Sequence, residues 1–146
     1  MSLQPKRALS LDVRVGLRMV DPPNLRGLWP HQVEGVRFLR SGNERLLALG
    51  MGCGKSAIAL RALGTRDRAI APMPASLIQQ WADQCTKWRP DLKPVEGALR
   101  RPAEGELLLI SWDSLRATRF DRRMSYEPMS DVTLIPDELD RAKNDD

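Results

Sequence analysis

Residues 45–64 of the chain read RLLALGMGCGKSAIALRALG, and this stretch decides the fold. The first six residues, RLLALG, form a short continuous apolar run that is typical of a buried parallel strand. Residues 57–63, AIALRAL, predict a helix that ends at Gly64. A glycine-rich turn, MGCGKS, joins the two. A strand, a glycine-rich turn and a helix in this order predict an α/β fold with a phosphate-binding loop at the turn.

The turn carries residue types that suit a nucleoside triphosphate. Gly52 and Gly54 permit backbone torsions that direct successive N–H groups toward one anion, and the start of the following helix adds partial positive charge. Lys55 would neutralise the β- and γ-phosphates, and the Ser56 hydroxyl would ligate Mg²⁺. We therefore predict that Gly52, Cys53, Gly54, Lys55 and Ser56 bind ATP. The match to the full pattern GxxxxGK[ST] is incomplete, and an ordinary glycine-rich turn before a helix is the alternative.

The rest of the chain continues the alternation of strands and helices. Apolar runs predict strands at residues 68–72 (RAIAP), 106–111 (ELLLIS) and 131–136 (DVTLIP). Apolar residues at helical spacing predict helices over residues 30–42 and 76–88. This alternation indicates an α/β domain with a mainly parallel sheet.

Two adjacent carboxylates, Asp137 and Glu138, directly follow the apolar run VTLIP. Acidic residues at the end of a strand form the second half of many nucleotide sites. Asp137 would hold Mg²⁺ through water, and Glu138 would orient and deprotonate the attacking water. Taken alone, an Asp-Glu step at a strand end is more often a solvated cap. The upstream GKS sequence favours the catalytic interpretation.

Composition excludes several other classes. The 146 residues suffice for one domain of modest size, and no apolar run approaches the roughly 18 residues that span a bilayer. With one histidine, His31, and two cysteines, the chain lacks the side chains for a zinc cage or an ordinary protease triad. The net charge is +4, and 18 of the 23 basic residues are Arg, which suits contact with phosphates. We expect a cytoplasmic protein without a membrane segment.

Five segments resemble, in order and spacing, the first five conserved blocks of the Swi/Snf-type ATPases of helicase superfamily two. They are LWPHQVEGVRFL (28–39), LALGMGCGKSAIAL (47–60), IAPMPASLIQQWADQCTKWRP (70–90), LLLISWDSL (107–115) and VTLIPDELDRAKN (132–144). The resemblance implies an ATP-binding RecA-like lobe, a three-layer phosphate-loop domain. It also implies Mg²⁺ as cofactor, double-stranded DNA as partner, and a bacterial or phage context.

The resemblance assigns further residues. Gln32 takes the position of a glutamine that reads the adenine edge, and His31 is expected to pack against the base or Trp29. Ser76, Ser111 and Asp113 take positions that contact the nucleic-acid backbone. For the last two, a simple cap at a strand end is an equal alternative. The apolar stripe that contains Trp81 and Trp88 is expected to be core rather than a stacking platform.

The sequence also departs from the family. Leu49 and Gly50 replace an acidic pair, and Asp140 replaces a customary histidine, which puts coupling between ATP and DNA in doubt. Pro136 lacks an N–H, which predicts a local distortion of the magnesium carboxylate, Asp137.

We expect residues 1–27 to form an extension, with a strand at residues 11–20. Residues 28–146 would form a partial lobe that lacks its C-terminal strand. The sequence thus predicts the ATP-binding part of a DNA-dependent ATPase or translocase, inactive or weakly active without a second RecA-like lobe in cis or trans. The alternative is a degenerate, non-catalytic module that binds DNA or a protein partner. A phosphate-loop kinase would leave the Gln32 and Trp81 blocks unexplained.

Overall fold

The computed structural model describes residues 24–49, 52–118 and 129–137. The predicted strand at 11–20 and the residues Glu138 and Asp140 lie outside these ranges. The helices and strands, in chain order, are α1 (Pro30–Arg40), α2 (Lys55–Ala62), β1 (Arg68–Met73), α3 (Ile78–Trp88), β2 (Lys93–Glu96), β3 (Glu106–Ser111), α4 (Trp112–Ala117) and β4 (Val132–Leu134). One 3₁₀ turn, Ala75–Leu77, precedes α3.

The four described strands form one parallel sheet in the order β2-β3-β1-β4. In the register of the central strands, Ile70 of β1 lies between Leu108 of β3 and Leu134 of β4. The predicted α/β class with a parallel sheet is confirmed, and the arrangement is consistent with a RecA-like domain.

The apolar run of β3 is continuous because both faces of the sheet are covered. Residues 107–110 are each at most 1% exposed. Leu107 and Leu109 face a cluster with Trp81 and Cys85 of α3. Leu108 and Ile110 face the other side, against Ile70 and Val132, with the partly buried Leu99, Leu115 and Leu134 packed alongside. Alternate residues of one strand thus enter two different clusters, as the pleat requires.

Helix α1 packs on α2 through a smaller cluster. Val36, Ile58 and Ala62 form its buried centre. Gly35 permits the close approach, because a Cβ at this position would lie 3.0 Å from Cγ2 of Ile58. This contact fixes the start of α1 beside the loop that precedes α2.

The predicted strand RLLALG does not form in the described residues 45–49, so that prediction is wrong there. A strand exists through its hydrogen-bonded ladder, and these residues pair with no strand of the described sheet. Leu46 is 42% exposed, whereas Leu47 and Leu49 pack against the α1–α2 cluster. The apolar run therefore reflects helix contacts rather than burial inside the sheet.

Arg89 closes the C-terminal end of α2, where helix carbonyls lack intrahelical donors. The side chain is buried, and its Nη1 donates to the carbonyl oxygen of Leu60 at 2.8 Å and to that of Leu63. Its Nε and Nη2 donate to the two carboxylate oxygens of Asp91 at 2.9 and 2.8 Å. These hydrogen bonds hold the pKa of Asp91 below its ordinary value of 3.8.

Leu108→Ala should lower the free energy of unfolding by about 2–5 kcal/mol, because it opens a cavity in the core beside β3. Urea denaturation of the purified chain measures this change. Leu46→Ala is the matched control, and it should cost less than about 1 kcal/mol because Leu46 is 42% exposed. Equal losses in the two variants would contradict the assignment of Leu108 to the core.

Asp91→Asn should destabilise the protein at neutral pH, because it removes the carboxylate that pairs with Arg89. A carboxyl with a lowered folded-state pKa contributes stability above its unfolded pKa, and the contribution disappears as pH falls through the folded value. The difference in free energy of unfolding between wild type and Asp91→Asn should therefore reach its maximum above pH of about 4 and disappear on further acidification. Urea midpoints measured across this range test it, and a difference that persists unchanged in acid would contradict it.

Candidate nucleotide site and nucleic-acid cleft

Two glycines of the loop before α2 have the backbone torsions that the sequence predicts for them. Gly52 and Gly54 lie in the left-handed region, with φ of +75° and +77°. Gly54 is the N-cap of α2, so the loop leads directly to the free N–H groups at the helix start. Side chains with a Cβ rarely adopt such torsions, which accounts for glycine at both positions.

Gln32 joins this loop to the start of α1. The side chain is 7% exposed, and its Oε1 accepts a 2.9 Å hydrogen bond from the backbone N–H of Trp29. Its Nε2 donates to the carbonyl oxygen of Cys53 at 3.4 Å. A Cβ on Gly54 would overlap this same Nε2. Since an amide has two donor hydrogens and two acceptor lone pairs, Gln32 retains one of each for a ligand.

His31 contacts the same carbonyl. Its Nε2 lies 3.2 Å from the carbonyl oxygen of Cys53, and because a carbonyl only accepts, this nitrogen carries the proton in the contact. The imidazole lies beside Trp29, with ring centroids 5.7 Å apart, as expected from the sequence. Trp29 itself is 64% exposed. Two successive residues of α1 thus bond to one loop carbonyl.

Lys55 and Ser56 occupy the first positions of α2. Lys55 is exposed, and its Nζ donates to the carbonyl oxygen of Leu49 at 3.1 Å. The ammonium group therefore folds back across the loop instead of extending into solvent. Ser56 is half-buried. The predicted phosphate ligand Lys55 and the predicted magnesium ligand Ser56 are thus adjacent at one end of α2.

Asp137 follows β4 and is held by two indoles. Its Oδ2 accepts a 2.9 Å hydrogen bond from Nε1 of Trp81, and its backbone oxygen accepts one of 3.2 Å from Nε1 of Trp112. Trp81 is 4% exposed, so its predicted place in the core is confirmed. Trp88 is half-buried and packs against the same core.

Pro136 does not distort the neighbouring backbone on the β1 side. The N–H of Ile135 donates to Ile70 at 2.8 Å, and that of Asp137 donates to Pro72 at 2.9 Å. In a parallel pair, alternate residues bond to the same neighbour. Pro136 falls between them, at the position whose missing N–H would point away from β1. The backbone pairing on this side of the strand is therefore regular, and a distortion of the Asp137 carboxylate stays a prediction.

A separate cleft of about 320 Å³ lies where β1 and β3 end. Ser76 and Asp113, two of the predicted nucleic-acid contacts, line it together with Arg116, Trp112, Pro74 and Ala75. Arg116, which sequence reasoning missed, lies 3.5 Å from Oδ1 of Asp113 and offsets its charge. Ser111 caps α4, because its Oγ accepts from the N–H of Ser114 at 3.0 Å, and its contact with nucleic acid stays a prediction.

The structure thus gathers the predicted residues into two groups. Gln32, Cys53, Gly54 and Lys55 belong to the loop at the start of α2, whereas Ser76 and Asp113 belong to the cleft. Trp112 lines the cleft and also bonds to Asp137. In the described ranges, no group of three His, Cys, Asp or Glu side chains is placed to hold a metal ion.

These features define a parallel α/β domain with a glycine-rich loop at a helix start and a carboxylate at a strand end. No protein-family model matches the chain. It is similar to DNA repair protein rhp54 of Schizosaccharomyces pombe, at 28% identity over 88% of this chain and 19% of the relative. It is also similar to DNA repair and recombination protein RAD54 of Oryza sativa subsp. japonica, at 30% identity over 86% of this chain and 16% of the relative. The chain therefore spans less than a fifth of either relative.

Both relatives are Rad54-type proteins of the Swi/Snf group, so the chain is related to the Swi/Snf-type ATPases of helicase superfamily two. The resemblance predicted from the five segments is confirmed. Both relatives are eukaryotic and do not support the expected bacterial or phage context. Among the described helices, none is both long and apolar enough to cross a membrane.

Trp81→Phe should lower the free energy of unfolding by about 1–2 kcal/mol, because it keeps an aromatic ring but removes the N–H that bonds to Asp137. Trp88→Phe is the matched control on the same helix. It loses a 2.9 Å hydrogen bond to neutral Gln84 and should cost less. Urea denaturation compares the two variants, and a larger loss in Trp88→Phe would contradict the anchoring role of Trp81.

Proposed function

We propose that the chain binds Mg²⁺-ATP at the loop before α2 and forms the ATP-binding part of a DNA-dependent ATPase. The observation that carries this proposal is the loop itself. Two glycines with positive φ lead into α2, and the ammonium group of Lys55 lies across the loop. Both features favour an anion at this position, since backbone N–H groups, the helix start and Lys55 all present positive charge.

Each remaining ligand role has a residue with suitable chemistry. Gln32 lies against the loop and keeps one donor and one acceptor for the adenine edge. The hydroxyl of Ser56 and the carboxylate of Asp137 are oxygen ligands of the kind that Mg²⁺ prefers. Glu138, which follows Asp137 in the chain, is the candidate general base for the attacking water.

The indole of Trp81 supports the role of Asp137. A buried N–H that donates to Oδ2 fixes the orientation of the carboxylate, which is the usual role of a hydrogen-bond donor behind a metal-binding carboxylate. The backbone hydrogen bond to Pro72 fixes the same residue to β1. A carboxylate anchored at two points costs little further ordering when it binds a hydrated cation.

For DNA, we propose that the backbone lies along the cleft between Ser76 and Arg116. The hydroxyl of exposed Ser76 can donate to a phosphate oxygen, and Arg116 supplies the cation. The names of the relatives, a DNA repair protein and a DNA repair and recombination protein, support a DNA partner.

Turnover by the 146-residue chain should be weak. The resemblance implies that a second RecA-like lobe, in cis or in trans, supplies arginine fingers. In other phosphate-loop enzymes such a finger contributes a factor of about 10³–10⁵ to turnover. Binding of ATP is therefore a more direct test than hydrolysis.

Calorimetric titration with Mg²⁺-ATP should show saturable binding that Lys55→Ala weakens by at least about tenfold, because a charge-assisted contact to phosphate is lost. Lys93→Ala, which removes an exposed lysine from β2, is the matched control and should bind like wild type. Circular dichroism confirms that each variant is folded.

Two results would contradict the proposal. A folded wild type without saturable ATP binding, but with DNA affinity that falls steeply with salt, would establish the alternative of a non-catalytic DNA-binding module. Equal ATP affinity in wild type and Lys55→Ala would show that the loop is not the nucleotide site.

A further inference from the structure

A second cleft lies at the opposite end of α2 from the loop. Its volume is about 450 Å³. It is bounded by the C-terminal ends of α2 and α3, and the residues that carry its charge are Arg40, Arg61, Lys87, Arg89 and Asp91. Since α2 has eight residues, the two ends are separated by about 12 Å of helix. No residue of the proposed ATP site lines this cleft.

The cleft has a surplus of positive charge. Among the described side chains that line it, four are cationic and one, Asp91, is a carboxylate. Both oxygens of Asp91 accept hydrogen bonds from Arg89, whose Nη1 also caps α2. In the described part of the chain, both carboxylate oxygens of Asp91 are thus paired with Arg89. Arg61 and Lys87 supply positive charge beyond what this pair balances.

Arg61 is held in an unfavourable electrostatic position. Its Nη1 donates to the carbonyl oxygen of Asn24 at 2.6 Å, but its Nε is buried without a hydrogen-bond partner. Burial and, to a smaller extent, the charge of Arg89 lower the pKa of Arg61, and the charge of Asp91 offsets part of this effect. An isolated buried donor and a like-charged neighbour both cost free energy. An anion in the cleft would offset both costs.

The indole of Trp88 organises the two cations. The guanidinium of Arg61 lies 5.4 Å from the ring centroid, and Nζ of Lys87 lies 5.1 Å from it. Attraction between a cation and the ring face positions each group beside the cleft. A hydrogen bond of 2.9 Å from Nε1 of Trp88 to Gln84 fixes the ring. Both cations are therefore positioned by one aromatic ring, and all three residues line the cleft.

We propose that this cleft binds a phosphate group, with Arg61 and Lys87 as the binding cations. A guanidinium presents parallel N–H groups that match two phosphate oxygens, and an ammonium adds a point charge. The volume exceeds what one phosphate fills, so the ligand is a phosphate within a larger molecule. A nucleic-acid backbone and a phosphorylated small molecule share this chemistry. The inference is independent of the proposed ATP site.

Pyrophosphate is the probe, titrated calorimetrically into Lys55→Ala protein so that the lysine of the α2 loop does not contribute. Adding Arg61→Gln or Lys87→Gln should weaken binding about tenfold, and Arg61→Lys should retain most of it. Adding Lys93→Gln instead removes an exposed charge that does not line the cleft and should leave the affinity unchanged. Lys87 is exposed, so Lys87→Gln carries the test if Arg61→Gln fails to fold.

A second titration with duplex DNA identifies the source of the phosphate. If Arg61→Gln also weakens duplex binding and lowers its salt dependence by about one phosphate contact, the cleft takes a nucleic-acid backbone. If only pyrophosphate binding changes, it takes a phosphorylated small molecule. Absence of saturable pyrophosphate binding, or equal affinity in the Arg61→Gln, Lys87→Gln and Lys93→Gln proteins, would overturn the proposal.

Discussion

The parallel pairing of β1 with β3 is the constraint on which the rest of the structure depends. The two strands run in register from Ala69 opposite Leu107 to Met73 opposite Ser111. Because both are buried, helices must cover the sheet, and α3 does so through Trp81 and Cys85. Parallel strands also end at the same edge, which brings the segments after Met73 and Ser111 together as the walls of one cleft. The second, basic cleft lies where α2 and α3 end.

The sequence predicts those elements whose burial leaves a local pattern. The strands β1 and β3 are apolar runs, and α3 places apolar residues on one side, so periodicity identifies each of them. By contrast, β2 has only four residues, of which none is buried, and KPVE carries no strand pattern. For residues 45–49 the sequence predicts a strand that does not form. An apolar run indicates that residues are buried, but it does not show whether they pack inside a sheet or against helices.

In the candidate site, too, the sequence predicts the local features but not the contacts between distant residues. Glycine at positions 52 and 54 predicts an unusual backbone, and both positive φ values agree. The anchoring of Asp137 was not predictable, because Trp81 is 56 residues away and Trp112 is 25 residues away. The basic cleft likewise combines side chains from α2 and α3 that share no spacing in the chain. Contacts between distant segments depend on the completed fold, which no local pattern encodes.

Trp112 belongs both to the cleft that contains Ser76 and to the surroundings of Asp137. Its indole lines the cleft that contains Ser76, and its N–H bonds to the backbone oxygen of Asp137. A ligand in the cleft that reorients this ring also breaks or strengthens the hydrogen bond from Trp112 to the backbone oxygen of Asp137. By thermodynamic linkage, a ligand held at Asp137 then alters affinity in the cleft by the same factor. Coupling of this kind would pass through a single side chain and would need no movement of the sheet.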